Sequence, residues 1–219
     1  MRKEQEPRIE GIRKKYHISF LTTFILILFW SIFVLYPRPW LLVISIYRLY
    51  TPPVNSAAVA PIAKDLVNSS PEEIEQVVYQ LLPYAFDWQV YNMPWYFPTL
   101  EESLENSKGD CKARFLLFAS LLEALEIPHN RHISPMHIWV EYEGKTETAA
   151  ENKDAALITT DDKGKTKVQI PKINAEHFIK TFLKGFWEVM PPMRKALFLR
   201  GPPLILLAVF LWNRRNIFC

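Results

Sequence analysis

Cysteine is scarce in this 219-residue chain: Cys111 and Cys219 are the only two, and Cys219 is the last residue. That count excludes a disulfide framework and makes Cys111 a free thiol. Excess charge is also small. A formal net charge of +3 does not argue for nucleic acid, and no groove pattern of aromatics interleaved with Lys and Arg is present, so no nucleic-acid partner is expected. A cleavable signal is not supported either. Tyr36-Pro37-Arg38-Pro39 follows the first apolar run, and the small-residue triplet Ala58-Val59-Ala60 lies too far downstream to serve as its cleavage site. His129, His132 and His137 with Cys111 match no closed Cys/His spacing, so neither a metal nor a cofactor is expected.

What the chain does have is apolar length. Ile18 to Tyr36 carries no charge, and as a helix it covers roughly 28 Å, enough to cross a bilayer core. Arg2, Lys3, Arg8, Arg13, Lys14 and Lys15 precede it, and Arg214 and Arg215 stand near the other end; the positive-inside rule puts both groups in the cytoplasm. Trp40 to Tyr50 is too short to span and carries Arg48, so it is expected to lie at the interface. Pro203 to Trp212 is apolar, but Arg200 and Pro202-Pro203 interrupt its extension backwards. A second span and an interfacial hairpin are both open for it.

The resulting division is a basic cytoplasmic tail (1–17), a transmembrane helix (18–36), an interfacial segment and linker (37–60), a folded domain (61–190) and a C-terminal membrane-associated segment (191–219). The expected location is the cell membrane, with the domain on its extracytoplasmic side.

Within the domain, Ser70-Pro71-Glu72-Glu73 opens a helix with Ile74, Val77, Val78, Leu81 and Leu82 on one face, and Thr99-Leu100-Glu101-Glu102 is a capping box. A helix from Cys111 to Glu126 carries the stripe Cys111, Phe115, Phe118, Leu122, Leu125. After Pro128 the pattern turns to strands: Arg131 to Ser134, His137 to Tyr142, Thr146 to Glu151, Ala156 to Thr160 and Lys167 to Ile170. Asn174 is placed to cap a last amphipathic helix that Pro191-Pro192 ends. Helices first and an antiparallel sheet second make an α+β fold.

Gly109-Asp110-Cys111 opens directly into that apolar helix. A thiol at a helix start meets unpaired N–H groups and partial positive charge, which favour the thiolate, and Lys112 and Arg114 are expected to act in the same sense. His137 begins an alternating strand and supplies the base that such a nucleophile requires. A three-residue loop at Glu143-Gly144-Lys145 sets Glu151 opposite His137; a two-residue loop brings Asn152 to the same face. Either would orient the imidazole as the third member of a triad does. Trp88 and Trp95 are candidates for lining a cleft or donating to an oxyanion.

Gly109-Asp110-Cys111, the apolar helix, Leu125-Glu126-Ile127-Pro128 and His137-x-Trp139-Val140-Glu141-Tyr142 together resemble the transglutaminase-like superfamily of papain-like thiol enzymes, in a membrane-anchored bacterial form. Tyr84-Ala85-Phe86-Asp87-Trp88 and Trp95-Tyr96-Phe97-Pro98-Thr99-Leu100-Glu101 are similar to the segment that leads to the nucleophile in that family, and the likeness spans residues 70–152. It departs from the pattern where the family usually holds Asp followed by Pro: here Glu151-Asn152-Lys153 stands instead, and the connection from Cys111 to His137 is compact. The resemblance implies a papain-like core, Cys111 as nucleophile, His137 as base, an acidic or amide third residue, and a protein or peptide substrate attacked at an amide or ester carbonyl. The competing function is a membrane-anchored binding or assembly module that keeps the scaffold without the chemistry.

Overall fold

The computed structural model describes residues 18–148, 151–172 and 175–218; the basic tail, Asn174 and Cys219 lie outside them. The first helix, α1 (Phe20–Leu35), starts at Ser19, whose hydroxyl accepts from the Thr22 N–H, and stops before Pro37. The chain bends by 72° across Pro37-Arg38-Pro39 into α2 (Trp40–Tyr50). Arg48 on α2 ties it to the domain, donating to the Phe97 carbonyl (2.9 Å) and the Tyr96 hydroxyl (3.1 Å) and pairing with Glu102 (3.2 Å).

Short α3 (Ala60–Lys64) is followed by α4 (Pro71–Leu81), opened by the Ser70/Glu73 capping box with proline in its first turn. Next come one turn of helix, α5 (Asp87–Val90), and then α6 (Leu100–Asn106), which the Thr99/Glu102 box starts. The centre of the domain is α7 (Cys111–Ala124), packed against α3, α4 and α6. The expectation of one buried stripe understates it. Ala113, Leu116, Leu117, Ala119, Ser120 and Leu121 are buried along with Phe115, Phe118 and Leu122, as for a helix enclosed on all sides.

Strands β1 (Asn130–Ile133), β2 (Ile138–Glu141), β3 (Ile158–Thr160) and β4 (Thr166–Val168) form an antiparallel sheet in the order β2-β1-β3-β4, with β2 at the edge against α7. The fold is mixed helix and sheet, α+β in its chain order. One expected strand is absent: from Thr146 to Thr148 the chain is loop, and Ala149 and Ala150 lie outside the described residues. Its place beside β2 is taken in part by a side chain, because the Val140 carbonyl accepts from Lys145 Nζ (2.9 Å).

Helix α8 (Ala175–Phe182) continues as a π-helical stretch over Leu183–Glu188. Pro192 then opens α9 (Pro192–Phe218), which passes through Pro202 and Pro203 without a break, correcting the expected interruption. The two prolines remove two backbone donors, yet packing on α1 retains the helix there. The Trp30 indole N–H donates to the Leu197 carbonyl (3.0 Å) and its ring lies against Gly201. Farther along the antiparallel pair, Asn213 bonds both the N–H (2.9 Å) and the carbonyl (3.0 Å) of Ile18, and Arg194 donates to the Val34 carbonyl.

By length and composition the 24 residues Pro192–Arg215 can cross a membrane; the bent pair α1 and α2 passes only when both are counted together. Large apolar side chains on both legs face outward, among them Phe20, Phe29, Leu204 and Phe210. Because a Cβ on Gly201 would sit 1.8 Å from Trp30 Nε1, Gly201→Ala is expected to destabilise the helix pair by about 1–3 kcal/mol. Thermal unfolding in detergent measures it. Adding Trp30→Ala should recover much of the loss, and additive losses would show that the contact is not the cause.

Candidate functional site

Local rules place the thiol. Gly109 bonds the Tyr84 segment, accepting from the Ala85 N–H (3.0 Å) and donating to the Pro83 carbonyl (3.1 Å). It also passes so close to α7 that a Cβ would lie 2.4 Å from that of Ala113, which is why glycine stands there. Asp110 caps the helix, its carboxylate accepting from the Lys112 N–H (2.9 Å). Cys111 is therefore the first helical residue, half-buried, and its side chain lines the same cavity as His137.

His137 stands at the mouth of β2, its N–H held by Ser134 Oγ (2.9 Å) and its carbonyl accepting from the Ser134 N–H (2.8 Å). Its ring stacks on Trp139 at 5.7 Å between centroids, and His132 stacks on Trp139 as well, at 5.1 Å. Burial alone would lower the His137 pKa, but its interactions with Cys111 and Glu151 outweigh it, and the imidazole is pushed up to about 9. Glu151 Oε1 lies 3.7 Å from His137 Nε2, an ion-pair distance. It arrives by a different route from the expected strand pairing: a turn closes on itself, the Glu151 N–H donating to the Thr148 carbonyl (3.0 Å). Burial would raise the Glu151 pKa, but His137 and Lys145 together hold it below the ordinary carboxylate range. Asn152 is not brought to the site; it is exposed, and its side chain caps the following turn by accepting from the Asp154 N–H (2.8 Å).

Two residues that sequence reasoning passed over complete this side. Lys145 Nζ joins Glu151 Oε1 (3.2 Å) to Glu75 Oε1 (3.0 Å), and Glu75 also accepts from the hydroxyls of Tyr79 (2.9 Å) and Tyr142 (3.0 Å). In sequence, Lys145 reads as part of a turn and Glu75 as the polar face of α4, so nothing local marks either.

Below the nucleophile is a buried ionic cluster. Lys112 Nζ contacts Asp87 Oδ2 (2.9 Å) and Asp110 Oδ2, and the Tyr96 N–H donates to Asp87 Oδ2 (2.8 Å). Burial would depress Lys112, but the two carboxylates hold it well above its ordinary pKa; burial and the neighbouring Asp110 raise Asp87. The Lys112 ammonium contacts the two carboxylates directly, and its electrostatic interaction with Cys111 ranks below those with Asp110 and Asp87. The signal that was available is Asp87 itself, a lone acid in an aromatic run.

Cys111, His137 and Glu151 share one cavity of about 180 Å³, with Phe115, Phe118, Ile138 and Val140 as apolar wall and Tyr79, Tyr84, Arg114 and Lys145 as polar wall. Trp88 and Trp95 do not line it, and the Trp88 indole donates to the Phe186 carbonyl (2.9 Å). His129 faces the Ile127 carbonyl (3.0 Å) and His132 faces Thr159 Oγ1 (3.0 Å) and Glu141 Oε2 (2.9 Å). Among the described residues no group of three His, Cys, Asp or Glu side chains could hold a metal ion. The chemistry open to this arrangement is proton exchange between a thiol and an imidazole backed by a carboxylate. The chain matches no protein-family model, no curated protein and no solved structure.

Proposed function

We propose that this protein is a membrane-anchored thiol enzyme of the transglutaminase-like kind, with a papain-like core, that attacks amide or ester carbonyls of a protein or peptide. The observation that carries the reading is the convergence, in one cavity, of a thiol at the start of a buried helix, a histidine on the facing edge strand and a carboxylate behind it. His137 holds the proton given up by Cys111, as the imidazolium, and the thiolate sulfur attacks the carbonyl carbon. The Cys111 N–H, among the unpaired first-turn amides, holds the resulting oxyanion. The imidazolium returns its proton to the departing amine or alkoxide, which leaves a thioester. Water, deprotonated by His137, then releases the acid, making a peptidase or amidase; an amine in its place makes a transferase. Placing the domain outside the cytoplasm is supported by the pairing of Ile18, which follows the basic stretch in sequence, with Asn213, which precedes Arg214 and Arg215.

The test is covalent capture of the detergent-solubilised protein by a peptide carrying a thiol-reactive electrophile, followed by intact mass. Wild type should be captured and Cys111→Ala should not. Glu151→Gln should slow capture about 10- to 100-fold through loss of the oriented imidazole, whereas Asn152→Ala should leave the rate within about twofold, as expected of an exposed residue outside the cavity. A folded wild type that resists capture would overturn the enzyme and assign the chain to the binding-module class.

A further inference from the structure

We infer that Arg114 is an anion-recognition residue of this cleft and that the substrate carries a carboxylate close to the carbonyl under attack. The inference rests on the acyl-transfer reading and names its substrate class. Arg114 follows Cys111 by three residues on α7, one turn along the same face, and both line the same cavity. Its guanidinium is held in place: Nε donates to the Leu82 carbonyl (2.9 Å), and the group lies over the rings of Tyr79 (4.8 Å) and Tyr84 (5.3 Å). Tyr79 is itself fixed by its hydroxyl bond to Glu75.

This differs from every other cation at the site. Lys145 is taken up by Glu75 and Glu151, His137 by Glu151, and Lys112 by Asp87 and Asp110. Arg114 has no carboxylate within ion-pair distance among the described residues, and the Leu82 bond uses one of its five donors. A planar guanidinium stacked on aromatics is pre-organised for a carboxylate, which it can bind through two parallel hydrogen bonds. Three residues along α7 separate Arg114 from Cys111, about 4.5 Å of axial rise, so the carboxylate belongs to the residue whose carbonyl is attacked or to its immediate neighbour, as in a peptide with an acidic side chain or a free terminal carboxylate.

Two alkylating reagents of equal size isolate the charge. The rates of Cys111 with iodoacetate and with iodoacetamide are measured in the full-length solubilised protein by peptide mass, with Cys219 as the internal reference. The iodoacetate-to-iodoacetamide rate ratio at Cys111 should exceed that at Cys219 by about tenfold, the discrimination expected of one charge-assisted contact. It should fall toward the reference value in Arg114→Gln, and in wild type as salt is raised. Using the ratio cancels any general change in thiol reactivity, and the salt series needs no variant to fold. A Cys111 that reacts with iodoacetamide yet shows no charge preference, or one whose preference survives Arg114→Gln, overturns this inference alone. Inertness of Cys111 toward both reagents overturns the acyl-transfer reading and this inference with it.

Discussion

Replacing His137 with alanine should slow turnover at Cys111 by about 10²- to 10⁴-fold, the range for losing a positioned general acid–base. The pH dependence separates its two duties. Burial opposes charge on His137, yet its interactions with Cys111 and Glu151 prevail and push its pKa up to about 9. The imidazolium is therefore held through neutral pH, and the proton needed by the leaving group is available up to that point. Turnover of an amide substrate should fall as pH rises through about 9. Simple alkylation, which has no leaving amine to protonate, should not fall there. The same shift acts on stability. A folded-state pKa above the ordinary histidine value of 6.5 means that the contribution is complete below about 6.5 and is lost as pH rises through about 9. The upper bound is roughly 3 kcal/mol. Urea unfolding of wild type and His137→Ala at pH 6 and pH 10 measures it; equal differences between the two proteins at both pH values would refute the assignment.

The second large effect lies at Lys112. Lys112→Met should cost about 3–5 kcal/mol, because removing one member of a buried ionic cluster leaves its partners uncompensated. Asp87 and Asp110 would then face each other with only two backbone donors to offset them, the Tyr96 N–H on Asp87 and the N–H of residue 112 on Asp110. One carboxyl would be driven to take up a proton. Because that raises a folded-state pKa above its unfolded value, the variant should regain stability relative to wild type as pH falls, and lose it as pH rises. Urea midpoints at pH 5 and pH 8 provide the measurement. Asp87→Asn on the Lys112→Met background should restore part of the loss at pH 8. A cost under about 1 kcal/mol at pH 8 would show that the cluster is not a unit.

How much of this could be read from the sequence follows from how local each signal is. The caps at Ser70/Glu73 and Thr99/Glu102 involve residues three apart, so they are visible in one dimension. The same holds for the helix beginning at Cys111 and for β1 and β2, although β2 buries three successive residues, Ile138, Trp139 and Val140, rather than alternate ones. Thr146, Glu147 and Thr148 are exposed, and β-favouring composition without burial does not define a strand. Glu151 comes near His137 through a turn that only tertiary structure reveals. The continuity of α9 was hidden because prolines end isolated helices; a tryptophan from another helix, 167 residues earlier, alters the balance. The cluster of Asp87 with Lys112 is likewise long-range, 25 residues apart, as is Lys145 with Glu75 at 70.

The ties between Ile18 and Asn213, Trp30 and Leu197, and Val34 and Arg194 run the length of α1 and α9, and their meaning reaches beyond the helices. A domain that hangs from one flexible stalk sweeps a wide volume. This one is an insert with both ends gripped, entered across Pro37-Arg38-Pro39 and left across Pro191-Pro192, and each joint has its backbone φ locked by proline. Sliding one leg past the other would have to break all three ties at once. The pair therefore acts as a rigid handle that fixes the bearing of the cleft, and the Cys111 thiol meets what comes to it rather than reaching out.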